Sequence, residues 1–69
     1  MKVNGAAFKK ARESLLLGTN HLAKVADLSP SCIKNLENGG NLRLGSIRKV
    51  IAALGLTIED AYDKKLIED

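Results

Sequence analysis

Sixty-nine residues with a net charge of +3, 45% hydrophobic and 28% charged, have the balance of one small globular domain. Chains of this size bury only about 60% of the surface their unfolded form exposes, so the core has to be compact. No apolar stretch is long enough to span a membrane, and Met1-Lys2-Val3-Asn4 runs into polar, helix-like sequence without a leader pattern. The lone cysteine, Cys32, supports neither an internal disulfide nor a metal cage, and a reducing cytoplasm is the simplest setting. Two aromatics, Phe8 and Tyr62, give no stacking platform for single-stranded nucleic acid. His21 has Val25 at i+4 and no ligand partner near it, and Ser14, Ser29, Ser31 and Ser46 lack a companion base. These features argue against an enzyme, a metal site or a cofactor.

The net charge hides an asymmetry. Residues 1–56 carry a balance of +6 and residues 57–69 a balance of −3. A basic body with an acidic tail fits a polyanionic partner. A solvated surface with a frayed acidic end fits the same numbers.

The hydrophobic spacing reads helix throughout. Asn4 caps a first helix in which Phe8, Ala11 and Leu15 recur on one face. Gly18-Thr19 breaks that pattern and starts a short second helix with Leu22, Val25 and Ala26. Ser29-Pro30 is a strong start for a third, because serine caps well and proline suits the first helical position. That helix turns Ile33 and Leu36 inward and stops at Asn38-Gly39-Gly40. Leu44, Ile47, Val50, Ile51 and Leu54 mark a fourth helix, ended by Gly55. Thr57-Ile58-Glu59-Asp60 resembles a capping box and opens a fifth through Ala61, Tyr62 and Leu66. Nothing reads as a strand, so the expectation is a single all-α domain of five helices over residues 1–69.

Residues 19–26 and 30–38 are separated only by Asp27-Leu28-Ser29. So tight a connection forces a steep crossing, and such a pair can present its second helix outward. Asp27 sits where the chain has to take a positive φ, which Asp tolerates better than most residues. Burying Ile33 and Leu36 at about 100° per residue turns Ser31, Lys34, Asn35 and Asn38 away from the core.

At these residues the sequence resembles the phage repressor/Cro-type (XRE) helix-turn-helix domains. The resemblance covers roughly residues 5–62. It rests on Phe8-Lys9-Lys10-Ala11-Arg12-Glu13, on His21-Leu22-Ala23-Lys24-Val25-Ala26, on Leu28 through Gly39 with its Ile33-x-x-Leu36-Glu37-Asn38-Gly39, and on Ile51-Ala52-Ala53-Leu54-Gly55-Leu56-Thr57. It implies a compact lambda-repressor-like bundle that binds double-stranded DNA with residues 30–38 as the recognition helix. Asn35 is then the side chain best shaped for a base, since its amide pairs bidentately with adenine. Lys34 reaches guanine acceptors or a phosphate, and Ser31 a base edge or a phosphate. Gly18, Thr19 and Asn20 match the segment that clamps the DNA backbone. Ser29, Asn38 and Arg43 fall at further backbone positions. Arg12 and Glu37 are expected to form a buried ion pair between the first and third helices.

The sequence departs from the family in four places. Pro30 replaces a polar reader and offers only apolar contact, for instance to a thymine methyl. Thr19 replaces a longer Gln. Leu16 replaces a turn glycine, so a longer or differently capped first helix is expected. The segment at Arg43 lacks the usual Pro-Ser/Thr cap.

The reading that follows is a transcriptional regulator, a repressor of a palindromic operator bound as a homodimer. It is either a complete minimal regulator or the N-terminal piece of a longer repressor. The competing readings are the DNA-binding antitoxin of a toxin–antitoxin pair, with a protein toxin as partner, and a domain used only for protein contact. For the dimer, Leu56, Ile58 and Tyr62 are expected to pack inward. Leu66 and Ile67, with part of Tyr62, are left as the contact surface.

Overall fold

Five helices form in the expected order, and a small sheet that the sequence does not announce ties the two ends together. The computed structural model describes residues 1–40 and 42–69. Its elements are β1 (Lys2–Val3), α1 (Gly5–Ser14), α2 (Thr19–Ala26), α3 (Pro30–Glu37), α4 (Leu44–Ala53), α5 (Ile58–Asp63) and β2 (Ile67–Glu68). None of the described helices is long and apolar enough to cross a membrane.

Local chemistry sets the helix boundaries. Asn4 Oδ1 accepts from the Ala7 N–H at 3.2 Å. Ser29 Oγ accepts from the Cys32 N–H at 3.4 Å, with Pro30 in the first turn. Thr57 and Asp60 form the reciprocal capping box, at 3.1 and 3.0 Å. By contrast α2 and α4 start at Gly18 and Arg43 with no side-chain cap. Gly39 and Gly55 terminate their helices at φ +82° and +75°. Asp27 takes the left-handed conformation at φ 58°, as expected.

Leu16 also has φ 58°. The longer first helix does not occur: α1 ends at Ser14, and the Leu17 N–H donates back to the Arg12 carbonyl at 3.3 Å. Leucine here adopts the turn a glycine would make, and its side chain stays in solvent.

The core is built from Phe8 of α1, Leu22, Ala23 and Ala26 of α2, Ile33 and Leu36 of α3, and Ile47, Val50 and Ile51 of α4. Helix α2 packs on α3 and α4, and α1 packs on α3. Gly5 makes that last approach possible, because a Cβ there would collide with the carbonyl oxygens of Glu37 and Leu36. Three residues expected inside lie on the surface instead: Leu15, Val25 and Leu44. Leu15 caps α1 beyond its last turn, Leu44 opens α4, and Val25 lies in the last turn of α2, so all three stand at helix ends.

The C-terminal segment differs most from expectation. Helix α5 stops at Asp63, and Lys65, at φ 60°, turns the chain back. The Leu66 N–H donates to the Ala61 carbonyl, and the Leu66 carbonyl accepts from the Asn4 N–H at 2.8 Å. The chain then pairs antiparallel with β1, Lys2 opposite Glu68 and Val3 opposite Ile67. Leu66 and Ile67 are 1% and 2% exposed, whereas Ile58 and Tyr62 are 40% exposed each. For Ile58, Tyr62, Leu66 and Ile67 the expected assignment is therefore reversed, while Leu56 packs against the core as expected. The returning strand supplies the apolar side chains that close the core, which leaves part of α5 free.

Candidate nucleic-acid interface

The α2–α3 unit holds most of the residues singled out from the sequence. Leu22, Ala23, Ile33 and Leu36 are buried where the two helices meet, so the opposite side of α3 faces outward. Pro30, Ser31, Lys34, Asn35 and Asn38 are all exposed there. Asn38 serves as the C-cap of α3, and Ser29 as its N-cap. The Ser29 hydroxyl also lies 3.3 Å from Cys32 Sγ, and Cys32 is half-buried.

Asn35 has an unforeseen neighbour. Its carboxamide rests beside Gly40, so closely that a Cβ on Gly40 would fall on the Asn35 Oδ1 and Cγ. The Gly40 N–H meanwhile donates to the Asn35 carbonyl at 2.7 Å. The sequence signal for this was the second glycine of Gly39-Gly40, which helix termination alone does not require.

At the start of α2, Gly18 and Asn20 are exposed and Thr19 is half-buried. With no side chain capping this end, its first N–H groups are left for an external acceptor, and the helix dipole favours an anion there. Arg43 is exposed as the residue that precedes α4.

Behind this face, Arg12 Nε donates to Glu37 Oε2 at 2.6 Å and Arg12 Nη2 to Glu37 Oε1 at 3.0 Å. Arg12 Nη1 donates to the Leu17 carbonyl at 2.7 Å. The side chains of the pair are 10% and 8% exposed. The hydrogen bond to Glu37 raises the guanidinium pKa above its ordinary value, against a smaller opposing effect of burial. The pair ties α1, α3 and the α1–α2 turn together. It also turns the one carboxylate of α3 inward, so the outer side of α3 keeps Lys34 as its charged group.

Tyr62, Leu66 and Ile67 lie away from this face, in the segment that packs on α4 and β1. Leu66 and Ile67 are core residues and do not stand out as the contact surface expected of them. Tyr62 is partly exposed and donates to Asp69 Oδ1 at 3.0 Å, which raises its pKa from the ordinary tyrosine value. Among the described residues no cluster of His, Cys, Asp or Glu could hold a metal ion. No protein-family model matches this sequence, and no curated protein matches it at a significant level.

Proposed function

We propose that this chain is a sequence-specific regulator that binds double-stranded DNA, with α2 and α3 acting as a helix-turn-helix and α3 entering the major groove. The observation that carries the reading is the outer side of α3. It exposes Ser31, Lys34, Asn35 and Asn38, while its single carboxylate is withdrawn into the pair with Arg12. The uncapped start of α2 and the exposed Arg43 support phosphate contacts beside it. The resemblance to phage repressor/Cro-type domains agrees with this reading.

One helix of eight residues reaches only a few base pairs, so selective binding needs two copies with recognition helices about 34 Å apart. The surface for that contact is a groove between α4 and α5, a cavity of about 460 Å³ bordered by Met1, Leu44, Ile58 and Tyr62, with Ile67 as floor. Arg48 lies at its rim, and Glu59 and Asp69 belong to the same end of the chain as Ile58 and Tyr62. Such mixed signs suit a two-fold contact, in which each arginine meets the other copy's acids.

Selection from random duplexes tests the reading, and a two-fold symmetric site is the expected product. On that site Asn35→Ala costs about 1–3 kcal/mol per half-site and flattens preference at one base pair. Arg43→Ala weakens all duplexes alike and makes the salt dependence shallower. Equal loss on operator and random DNA for Asn35→Ala would remove it as a base reader. No enrichment of any duplex would overturn the function.

A further inference from the structure

A second open cleft lies between α1 and the ends of α4 and α5, with a volume of about 400 Å³. Leu15, Leu54, Leu56 and Leu66 line it, and Lys10 and Lys64 stand in its wall. No acidic residue borders it among the described residues, and neither lysine is held in an ion pair there. Leu16 follows the lining residue Leu15 in the chain. Leu16 is 94% exposed and left-handed at φ 58°, so it carries both an uncovered apolar side chain and a backbone conformation that leucine disfavours. Glycine would meet neither cost. A local cost retained at a surface position points to use of that side chain.

We propose that this cleft and the Leu15–Leu16 knob form a docking surface for an acidic, amphipathic segment of a partner protein. Apolar side chains of the segment enter the cleft, and its carboxylates meet Lys10 and Lys64. A second copy of this chain is disfavoured by charge, because a two-fold contact would oppose lysines to lysines. A small anionic amphiphile would fill the cleft and leave Leu16 unused. A protein segment uses both, in the manner of a helix laid in a groove. The surface shares no residue with the exposed side of α3, so the proposal stands or falls apart from DNA binding.

The test is selection of peptides of roughly twelve residues from a random display library on the whole chain. Leu16→Gly and the Lys10→Glu/Lys64→Glu double variant serve as counter-targets. Leu16→Gly keeps the turn geometry, so lost binding cannot be assigned to unfolding. The expected winners carry Leu, Ile or Phe at i, i+3 or i+4 spacing among Asp and Glu. They shift the amides of residues 7–16, 54–56 and 64–66, and they bind each variant roughly tenfold or more weakly, about 1.4 kcal/mol. No enrichment, enrichment of basic peptides, or winners that bind both variants as well as the parent would overturn it. So would decanoate shifting the same amides where no peptide does, which assigns the cleft to an amphiphile. Self-association abolished by Leu16→Gly would assign the face to a second copy and likewise overturn it.

Discussion

At the junction of α1 and α3 the fold relies on buried polar contacts at close range. Arg12 spends three donors on Glu37 and the Leu17 carbonyl, and Gly5 lets the first turn of α1 rest on the last carbonyls of α3. After α4 the arrangement is the opposite. Leu66 and Ile67 close the core with apolar surface, while Thr57–Asp60 and Tyr62–Asp69 hold the outside through exposed hydrogen bonds. The difference matters because an unpaired buried charge is costly, whereas water readily replaces a broken surface hydrogen bond. Damage at the junction should unfold the domain. Polar damage after α4 should be felt only locally.

The junction gives the largest effect. Glu37→Ala leaves the Arg12 guanidinium buried and unpaired, at about 3–5 kcal/mol, which is about the whole stability of one core this small. A thermal melt should therefore show Glu37→Ala largely unfolded at about 37 °C. A melt within a few degrees of the parent would mean that water reaches the guanidinium. Next comes the apolar part of the C-terminal segment. Leu66→Ala empties a fully buried site and should cost about 2–5 kcal/mol. An unchanged denaturation midpoint would mean that the returning strand is not part of the core. Gly5→Ala should follow at about 1–3 kcal/mol, as α1 is pushed away from α3. If it instead stabilises, as alanine does at an unobstructed helix position, the close approach is absent.

The two halves were not equally legible in the sequence. The helix starts at Asn4, Ser29 and Thr57 and the left-handed Asp27 follow from short-range chemistry, which a few consecutive residues display. The Arg12–Glu37 pair came only through the family resemblance, since nothing in local spacing links residues 25 apart. The β1–β2 pairing left no trace, because two-residue strands have no periodicity and the register joins opposite ends of the chain. The inward side of α5 is hidden for the same reason: six residues are too few to fix a stripe, and the competitor for the core is the strand beyond Lys65. In the candidate interface, the outward side of α3 followed from Ile33 and Leu36. The contact of Asn35 with Gly40 depends on a side-chain rotamer, and its one trace in the sequence is the second glycine after α3.

Leu16 sharpens the comparison from a neutral position. It sits at the end of α1 beside the junction with its N–H bonded to the Glu13 carbonyl but its side chain in solvent, so relief of its left-handed strain should appear undiluted. Non-glycine residues pay about 1–2 kcal/mol in this conformation, and glycine returns part of that through the greater freedom of its unfolded chain. Leu16→Gly should therefore stabilise by up to about 1 kcal/mol, raising Tm by roughly 4–8 °C per kcal/mol in a domain of this size. A lower Tm would show that the exposed leucine packs on something in solution, such as another copy, and comparison at several protein concentrations would reveal it.

The smallest effect belongs to the capping box. The Asp60 carboxyl is held below its ordinary value, chiefly by the Thr57 N–H and then by the Thr57 hydroxyl. A carboxyl whose folded pKa is depressed adds stability above its unfolded value, and loses it as pH falls through the folded value. The contribution is therefore intact at neutral pH and fades only below the usual carboxylate range near about 4. Asp60 is at the surface, so the loss should stay within α5. In two-dimensional NMR between neutral and strongly acid pH, the Thr57 amide should move with a midpoint below that of an ordinary aspartate. The Leu22 and Ile33 amides should hold still through the same step. Asp60→Asn, which keeps the shape of the acceptor without its charge, should remove the transition at Thr57 and leave the core unchanged. If Leu22 and Ile33 titrate together with Thr57, the C-terminal segment is coupled to the core through more than Leu66 and Ile67, and the contrast with the α1–α3 junction fails.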